Sequence, residues 1–248
     1  MPVAALYDIH GNLPALEAVL AEIRQLHVDE IVIGGDVLPG PMPAETLEAL
    51  LNLELPTRFL YGNGEIAILE QKSGAHPASV PEAYWPAIQW TAQQLSSENE
   101  RVLAGWPKTV HMDIPGLGKV LFCHATPRDE NEIFTRLTRE ERLLPIFAGL
   151  EASLVVCGHT HMQFDRIIGG IRVVNAGSVG MPFGEPGADW LLLGPGVEFR
   201  HTHYDLAEAA AHVRGTGYPR AEEFASRNIV NPPSEAAILE DFARAELK

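Results

Sequence analysis

Leu154-Val155-Val156-Cys157-Gly158-His159-Thr160-His161 is an apolar run that stops at a glycine and presents two histidines two residues apart. It reads as a buried strand ending in metal ligands. Imidazole is the commonest protein metal ligand near neutral pH, and a glycine beside it lets backbone and ion approach closely. A histidine of such a pair can also do no more than hydrogen-bond within a loop. Four other apolar runs end in the same way: Val3 to Tyr7 in Asp8-Ile9-His10, Glu30 to Ile33 in Gly34-Gly35-Asp36, Arg58 to Tyr61 in Gly62-Asn63, and Lys119 to Cys123 in His124. These tips converge if the strands lie parallel in one sheet, since open α/β sheets bind ligands beyond their carboxyl strand ends. Asp8, His10, Asp36, Asn63, His124, His159 and His161 are too many ligands for one ion. They suit two cations sharing a bridging carboxylate, in the mixed oxygen and nitrogen sphere favoured by manganese, iron, cobalt, nickel or zinc.

Length and charge bound the rest. A chain of 248 residues fits one α/β domain, or one domain with an insertion. With 18 Lys and Arg against 33 Asp and Glu, the net charge of −15 argues against a nucleic-acid duplex as partner, because phosphate backbones need clustered cations. The plain reading of that acidity is solubility. Cys123 and Cys157 lie inside apolar strands and read as reduced, buried side chains of a cytoplasmic protein. No signal peptide precedes the first strand, and no apolar run approaches the ~18 residues of a membrane span, so no membrane partner is expected.

Between the ligand motifs the pattern alternates helix and strand. Asn12 to Leu26 has apolar residues three and four apart, with Asn12 as cap and Pro14 in the first turn, which makes a βαβ unit with the strand at Ile31 to Ile33. Further helices are expected from Ala44 to Leu51 and from Glu65 to Gln71. Residues 74 to 107, punctuated by four prolines, read as a helical insertion carrying one helix from Ala87 to Leu103. Its aromatics are core, or the wall of a substrate pocket. Val110 to Ile114 and Lys119 to Cys123 form a hairpin, and Thr138 with Glu141 reads as the capping box of a helix ending near Gly149. Past His161, Gln163 to Ile168, Ile171 to Asn175, Trp190 to Leu193 and Val197 to Tyr204 are short strands expected to build a second sheet. Two such sheets with helices outside give a four-layer αββα sandwich, an α/β fold over residues 1–248 as a single unit. A helical tail from about residue 205, with helices at Leu206 to Val213 and Glu235 to Leu247, covers a sheet or serves a contact between identical subunits.

Asp8-x-His10, Gly35-Asp36, Gly62-Asn63, His124 and Gly158-His159-Thr160-His161, in this order, resemble the calcineurin-like metallophosphoesterases, and so do Gly11-Asn12 and Asn175-Ala176-Gly177-Ser178-Val179-Gly180. The resemblance spans residues 1 to about 200. It implies one metal on Asp8, His10, Asp36 and His161, and a second on Asp36, Asn63, His124 and His159, manganese being the first expectation. It further implies a bridging water that attacks the phosphorus of a small phosphorylated substrate. Asn12 is either only a helix cap or also a phosphate contact. Arg128, in the loop after His124, either meets a phosphate bidentately or forms an ordinary loop ion pair.

Two residues depart from the family pattern. Where the family continues its asparagine motif with a histidine, this chain has Gly64-Glu65, and Tyr7 stands where serine is common. The missing imidazole assists the leaving group in the family, and such assistance is worth ~10²- to 10⁴-fold. Its loss favours phosphodiesters, with phosphomonoesters or dinucleoside polyphosphates as alternatives, and leaves open a non-catalytic metal-binding scaffold. Glu65 is either a first-turn acid suited to the helix dipole or a contact to a ligand histidine or a metal-bound water. His76 is a candidate stand-in for the missing histidine, and His201 and His203 alternate on one strand without evident partners.

Overall fold

The computed structural model describes residues 1–247; Lys248, the last residue of the expected unit, lies outside them. The first half runs β1 (Val3–Leu6), α1 (Leu13–Ile23), β2 (Glu30–Ile33), α2 (Pro43–Leu51), β3 (Thr57–Phe59) and α3 (Asn63–Lys72). The insertion follows as α4 (Trp85–Gln94) and α5 (Ser97–Ala104). Then come β4 (Thr109–Ile114), β5 (Gly118–Cys123), α6 (Glu140–Phe147), β6 (Leu154–Cys157), β7 (Phe164–Ile168), β8 (Ile171–Asn175), β9 (Ala188–Leu193) and β10 (Val197–Thr202). The tail holds α7 (Leu206–Arg214), α8 (Ala221–Phe224), a π-helical stretch at Ala225–Val230 and α9 (Glu235–Ala245).

Two five-stranded mixed sheets result, in the orders β10-β9-β1-β2-β3 and β4-β5-β6-β8-β7. In the first, β1, β2 and β3 are parallel; in the second, β5, β6 and β8 are. The five ligand-bearing tips therefore come from two sheets rather than one. Strand alternation explains why both sheets are apolar on each face. Val3, Ala5, Tyr7 and Val32 point inward and meet Val120, Phe122, Leu154, Val156 and Val174 of the other sheet. Ala4, Leu6, Ile31 and Ile33 point outward onto Leu16, Val19 and Leu47 of α1 and α2, and Val155, Cys157 and Val173 onto Leu143 and Phe147 of α6. This is the αββα sandwich.

Several local expectations need correcting. The strands past His161 do not build one second sheet: β8 joins β6 and carries β7, whereas β9 crosses to pair with β1 and carries β10. Periodicity marks an inward face without saying which sheet receives it. The helix expected from Ala87 to Leu103 breaks at Leu95, because Ser96 caps a new helix: its hydroxyl accepts from Asn99 N at 3.1 Å, and the Asn99 side chain accepts from Ser96 N. Thr138 does not cap α6; its hydroxyl accepts from Thr135 N at 2.8 Å inside the preceding turn, and Arg139 precedes the helix. The tail packs Ala209, Ala210, Val213, Phe224 and Ile229 around Met42, so it covers the loop that follows Asp36. Among the described residues no helix is long and apolar enough to cross a membrane.

Candidate metal centre

Each ligand loop leaves its strand through an unusual backbone turn. Asp8, His10, Asp36, His159 and His161 all have positive φ, between 48° and 67°, and the one other such non-glycine among the described residues is Leu247. A left-handed backbone costs a side-chain-bearing residue about 1 kcal/mol or more, so it persists only where surrounding bonds impose it. Those bonds run between loops: His10 N donates to Asp36 O at 2.9 Å, Gly158 N to His124 O at 2.8 Å, and Gly180 N to Asp8 O at 3.0 Å. Tyr7 adds a tie between the sheets. Fully buried, it donates its hydroxyl to Val156 O at 3.0 Å, and its ring fills the space where side chains on Gly34 and Gly158 would stand.

The side chains fall into two groups that share a carboxylate. Ligand atoms of Asp8, His10 and His161 lie within 4.8 Å of one another, as do those of Asp8, Asp36 and His124. Asp8 Oδ1 stands 3.3 Å from His161 Nε2 and 3.8 Å from His124 Nε2. Asp36 also spans both groups, with Oδ2 3.8 Å from His10 Nε2 and Oδ1 3.5 Å from His124 Nε2. By distance, Asp8 shares the bridging place that the family resemblance assigns to Asp36. Asn63 Oδ1 lies 3.0 Å from His124 Nε2, and the His159 ring packs edge-on against His124 at 5.1 Å, which brings both to the second group.

The donor set fits cations. His124 Nδ1 faces Gly34 O at 3.0 Å and His161 Nδ1 faces Met181 O at 2.9 Å. A carbonyl only accepts, so each Nδ1 donates to it, and Nε2 is the ring atom turned toward the carboxylates, the orientation that metal-ligating histidines adopt. Burial, reinforced by His161, pushes the His10 imidazole down to about 3, and burial with His124 does the same to His159. Both are neutral at pH 7. Burial alone would raise the Asp8 carboxyl, but His161 and His124 hold it below its ordinary value, while burial and the Asp8 charge push Asp36 well up. His10 Nε2 and His161 Nε2 are 3.2 Å apart. Asp8 Oδ1, fully buried, has no hydrogen-bond donor. Lone pairs converging around an unsatisfied carboxylate oxygen, whose desolvation alone costs about 1–3 kcal/mol, are stabilised by a cation among them.

Neighbouring residues hold this arrangement. Glu65, fully buried, accepts from Gly62 N at 2.7 Å, Asp36 N at 2.9 Å and Leu38 N at 3.0 Å. It hydrogen-bonds to no histidine ring and is closed to solvent; it fixes the backbone at Asp36 and on both sides of it. No feature of the sequence beyond its first-turn place pointed to this. Gly64 donates its N–H to Asp36 Oδ1 at 2.7 Å, and a Cβ built on it would overlap the Leu38 carbonyl. The position of the missing histidine is thus filled by main chain. Asn12 caps α1 through Ala15 N and donates to Gly180 O at 2.9 Å. Arg128 grips Glu132 with both Nε and a terminal nitrogen, the loop ion pair. His76 stacks on Trp85 at 4.4 Å and joins neither ligand group. His201 and His203 do find a neighbour, Glu185, within ligand-atom reach at the surface.

Two ligand groups at the strand ends of an αββα sandwich define a metal-dependent hydrolase, and the chain belongs to the calcineurin-like phosphoesterase superfamily, whose domain model matches residues 1–193. It is 29% identical over 181 residues to the uncharacterized protein MJ0912 of Methanocaldococcus jannaschii, which covers 71% of this chain and 69% of that one. A metallophosphoesterase of Sphaerobacter thermophilus is similar in structure, with TM-score 0.72 and 26% identity over 91% of this chain and 97% of its own. PH1004 of Pyrococcus horikoshii OT3 shares the fold with TM-score 0.78 at 20% identity, over 94% and 99%.

Proposed function

We propose that the protein hydrolyses small phosphodiesters with two divalent cations, manganese being the first to try. The observation that carries this is the convergence of His10 Nε2, His161 Nε2 and the donorless Asp8 Oδ1 beside the Asp36 and His124 group. Asp8, His10, Asp36 and His161 would hold one cation, and Asp36, Asn63, His124 and His159 the other. When bound, such a pair supplies Lewis acidity to the phosphate oxygens and an ionised water at neutral pH. The chain's own part is placement: seven side chains of three types, carboxylate, imidazole and amide, are held by carbonyls, by Glu65 and by the loop-to-loop bonds. Two carboxylates against two divalent charges leave the site positive, which suits an anionic ester and its more highly charged transition state.

Preference among esters follows from Gly64. With Leu38 filling the space beside it, no imidazole at that position can hand a proton to the departing oxygen. Diesters and anhydrides with stabilised leaving groups need that proton least. The test is hydrolysis of an activated phosphodiester and its matching monoester by metal-stripped protein refilled with manganese, beside Asp36→Asn. Faster diester cleavage, abolished in Asp36→Asn, is the expected result; a faster monoester, or activity surviving in the variant, overturns it.

A further inference from the structure

Directly beside the proposed centre, a cavity of about 210 Å³ opens with His10 on one side and residues of the insertion and the tail on the other: Tyr84, Tyr218, Arg220, Phe224 and Asn228. That volume lies below the ~300–1,000 Å³ of sites enclosing a whole small ligand, so it accommodates one ring system of a substrate whose phosphate lies elsewhere. Continuity with His10 puts that elsewhere at the metal ligands.

The walls are flat and held still. Arg220 lies over the Tyr84 ring at 4.2 Å, donates to Ala83 O at 3.2 Å and pairs with Glu223 at 2.6 Å. A guanidinium neutralised by a carboxylate and pressed on an aromatic face is a planar platform for stacking rather than a hook for another phosphate. Tyr218 is fixed edge-on between Trp90 at 5.5 Å and Phe224 at 6.2 Å. Half-buried Asn228 adds an amide with donors and an acceptor, the pattern that pairs with the edge of a heterocycle. It sits in the π-helical stretch Ala225–Val230, a rare conformation concentrated at functional sites.

We propose that this cavity binds a planar heteroaromatic group the size of a nucleobase, carried by the phosphoester that the metal centre acts on. The inference rests on the proposed function for the phosphate's position. Paired charge and aromatic walls set the cavity apart from a site for a polyanion, and its polar amide sets it apart from a site for an alkyl chain.

The probes are adenosine monophosphate, glycerol phosphate and inorganic phosphate, titrated calorimetrically into manganese-loaded protein. Stacking of one base is expected to make the nucleotide bind about tenfold tighter than glycerol phosphate. Tyr84→Ala and Asn228→Ala, at positions exposed or half-buried, should each shrink that ratio while inorganic phosphate binds as before. Equal affinities for the two esters, binding of neither, or a ratio unmoved by both substitutions overturns the inference. A nucleotide preference in a protein that hydrolyses no ester supports it and sinks the phosphodiesterase reading instead.

Discussion

Glu65 holds Asp36 by its backbone and not by its carboxylate: Oε2 accepts from Asp36 N at 2.9 Å, while the Asp36 side chain faces the two histidine groups. Glu65→Ala strands three buried N–H groups. At about 1–3 kcal/mol for each unsatisfied donor, the loss is expected to reach at least ~3 kcal/mol, read by chemical denaturation of metal-stripped protein. Glu65→Gln keeps one acceptor oxygen and should lose less. An alanine variant as stable as the parent refutes this role.

Cation binding should stabilise the folded chain measurably. Manganese at a hundred times its dissociation constant contributes about 2.7 kcal/mol, or a rise of about 5–10 °C in melting temperature for a chain of this size. Asp8→Asn, which removes the shared donorless oxygen, should erase most of that rise. A calorimetric scan with and without chelator decides it, and a rise that survives in Asp8→Asn counts against the shared carboxylate.

Restoring the family histidine should do harm. Any side chain at position 64 meets the Leu38 carbonyl and disturbs the N–H that Gly64 gives to Asp36. Gly64→Ala and Gly64→His are each expected to cost about 1–3 kcal/mol, as overpacking does elsewhere, and to weaken manganese binding. Gain of monoesterase activity in Gly64→His, at unchanged stability, would contradict this.

His201 carries a pH signature away from the centre. Its hydrogen bond to Asp189, 2.7 Å long, raises the imidazole above its ordinary value. Burial raises the Asp189 carboxyl despite the same bond. The two shifts agree in sign: a group whose folded value is raised contributes stability below its unfolded value and loses it as pH climbs through the folded one. His201→Ala should therefore cost more stability at pH 5.5 than at pH 9, with the change setting in at the ordinary histidine value and ending above the raised one. Equal costs at both pH values would show that the pair contributes no proton linkage.

The candidate ligand positions were legible because each lies in the turn that follows the last apolar residue of a strand, a pattern fixed by local chemistry. Their grouping was not. Whether β9 pairs with β1 or with β8 depends on which sheet edge is open, and the apolar alternation of Ala188–Leu193 reads the same for either. The break at Leu95 was written in Ser96 and Asn99, a capping pair hidden inside a helical period. Glu65 could be seen only as a first-turn acid, since its three donors come from residues 62, 36 and 38. Tyr84, Tyr218, Arg220 and Asn228 meet across more than 130 positions of sequence, beyond the reach of any local pattern.

Glycine would sit more comfortably than the native residue at Asp8, His10, Asp36, His159 and His161, because it alone enters the left-handed region without a Cβ penalty. At the three histidines the exchange relieves about 1 kcal/mol and deletes a candidate ligand; at Asp8 and Asp36 it also strands the N–H groups of His159 and Gly64. The effect should appear as a higher melting temperature for metal-stripped His159→Gly. Under the proposed function, folding and chemistry thus pull against each other at the same positions: a lineage drifting toward a sturdier chain would drift toward an inert one, and demand for the cations is what keeps these side chains where the backbone resists them.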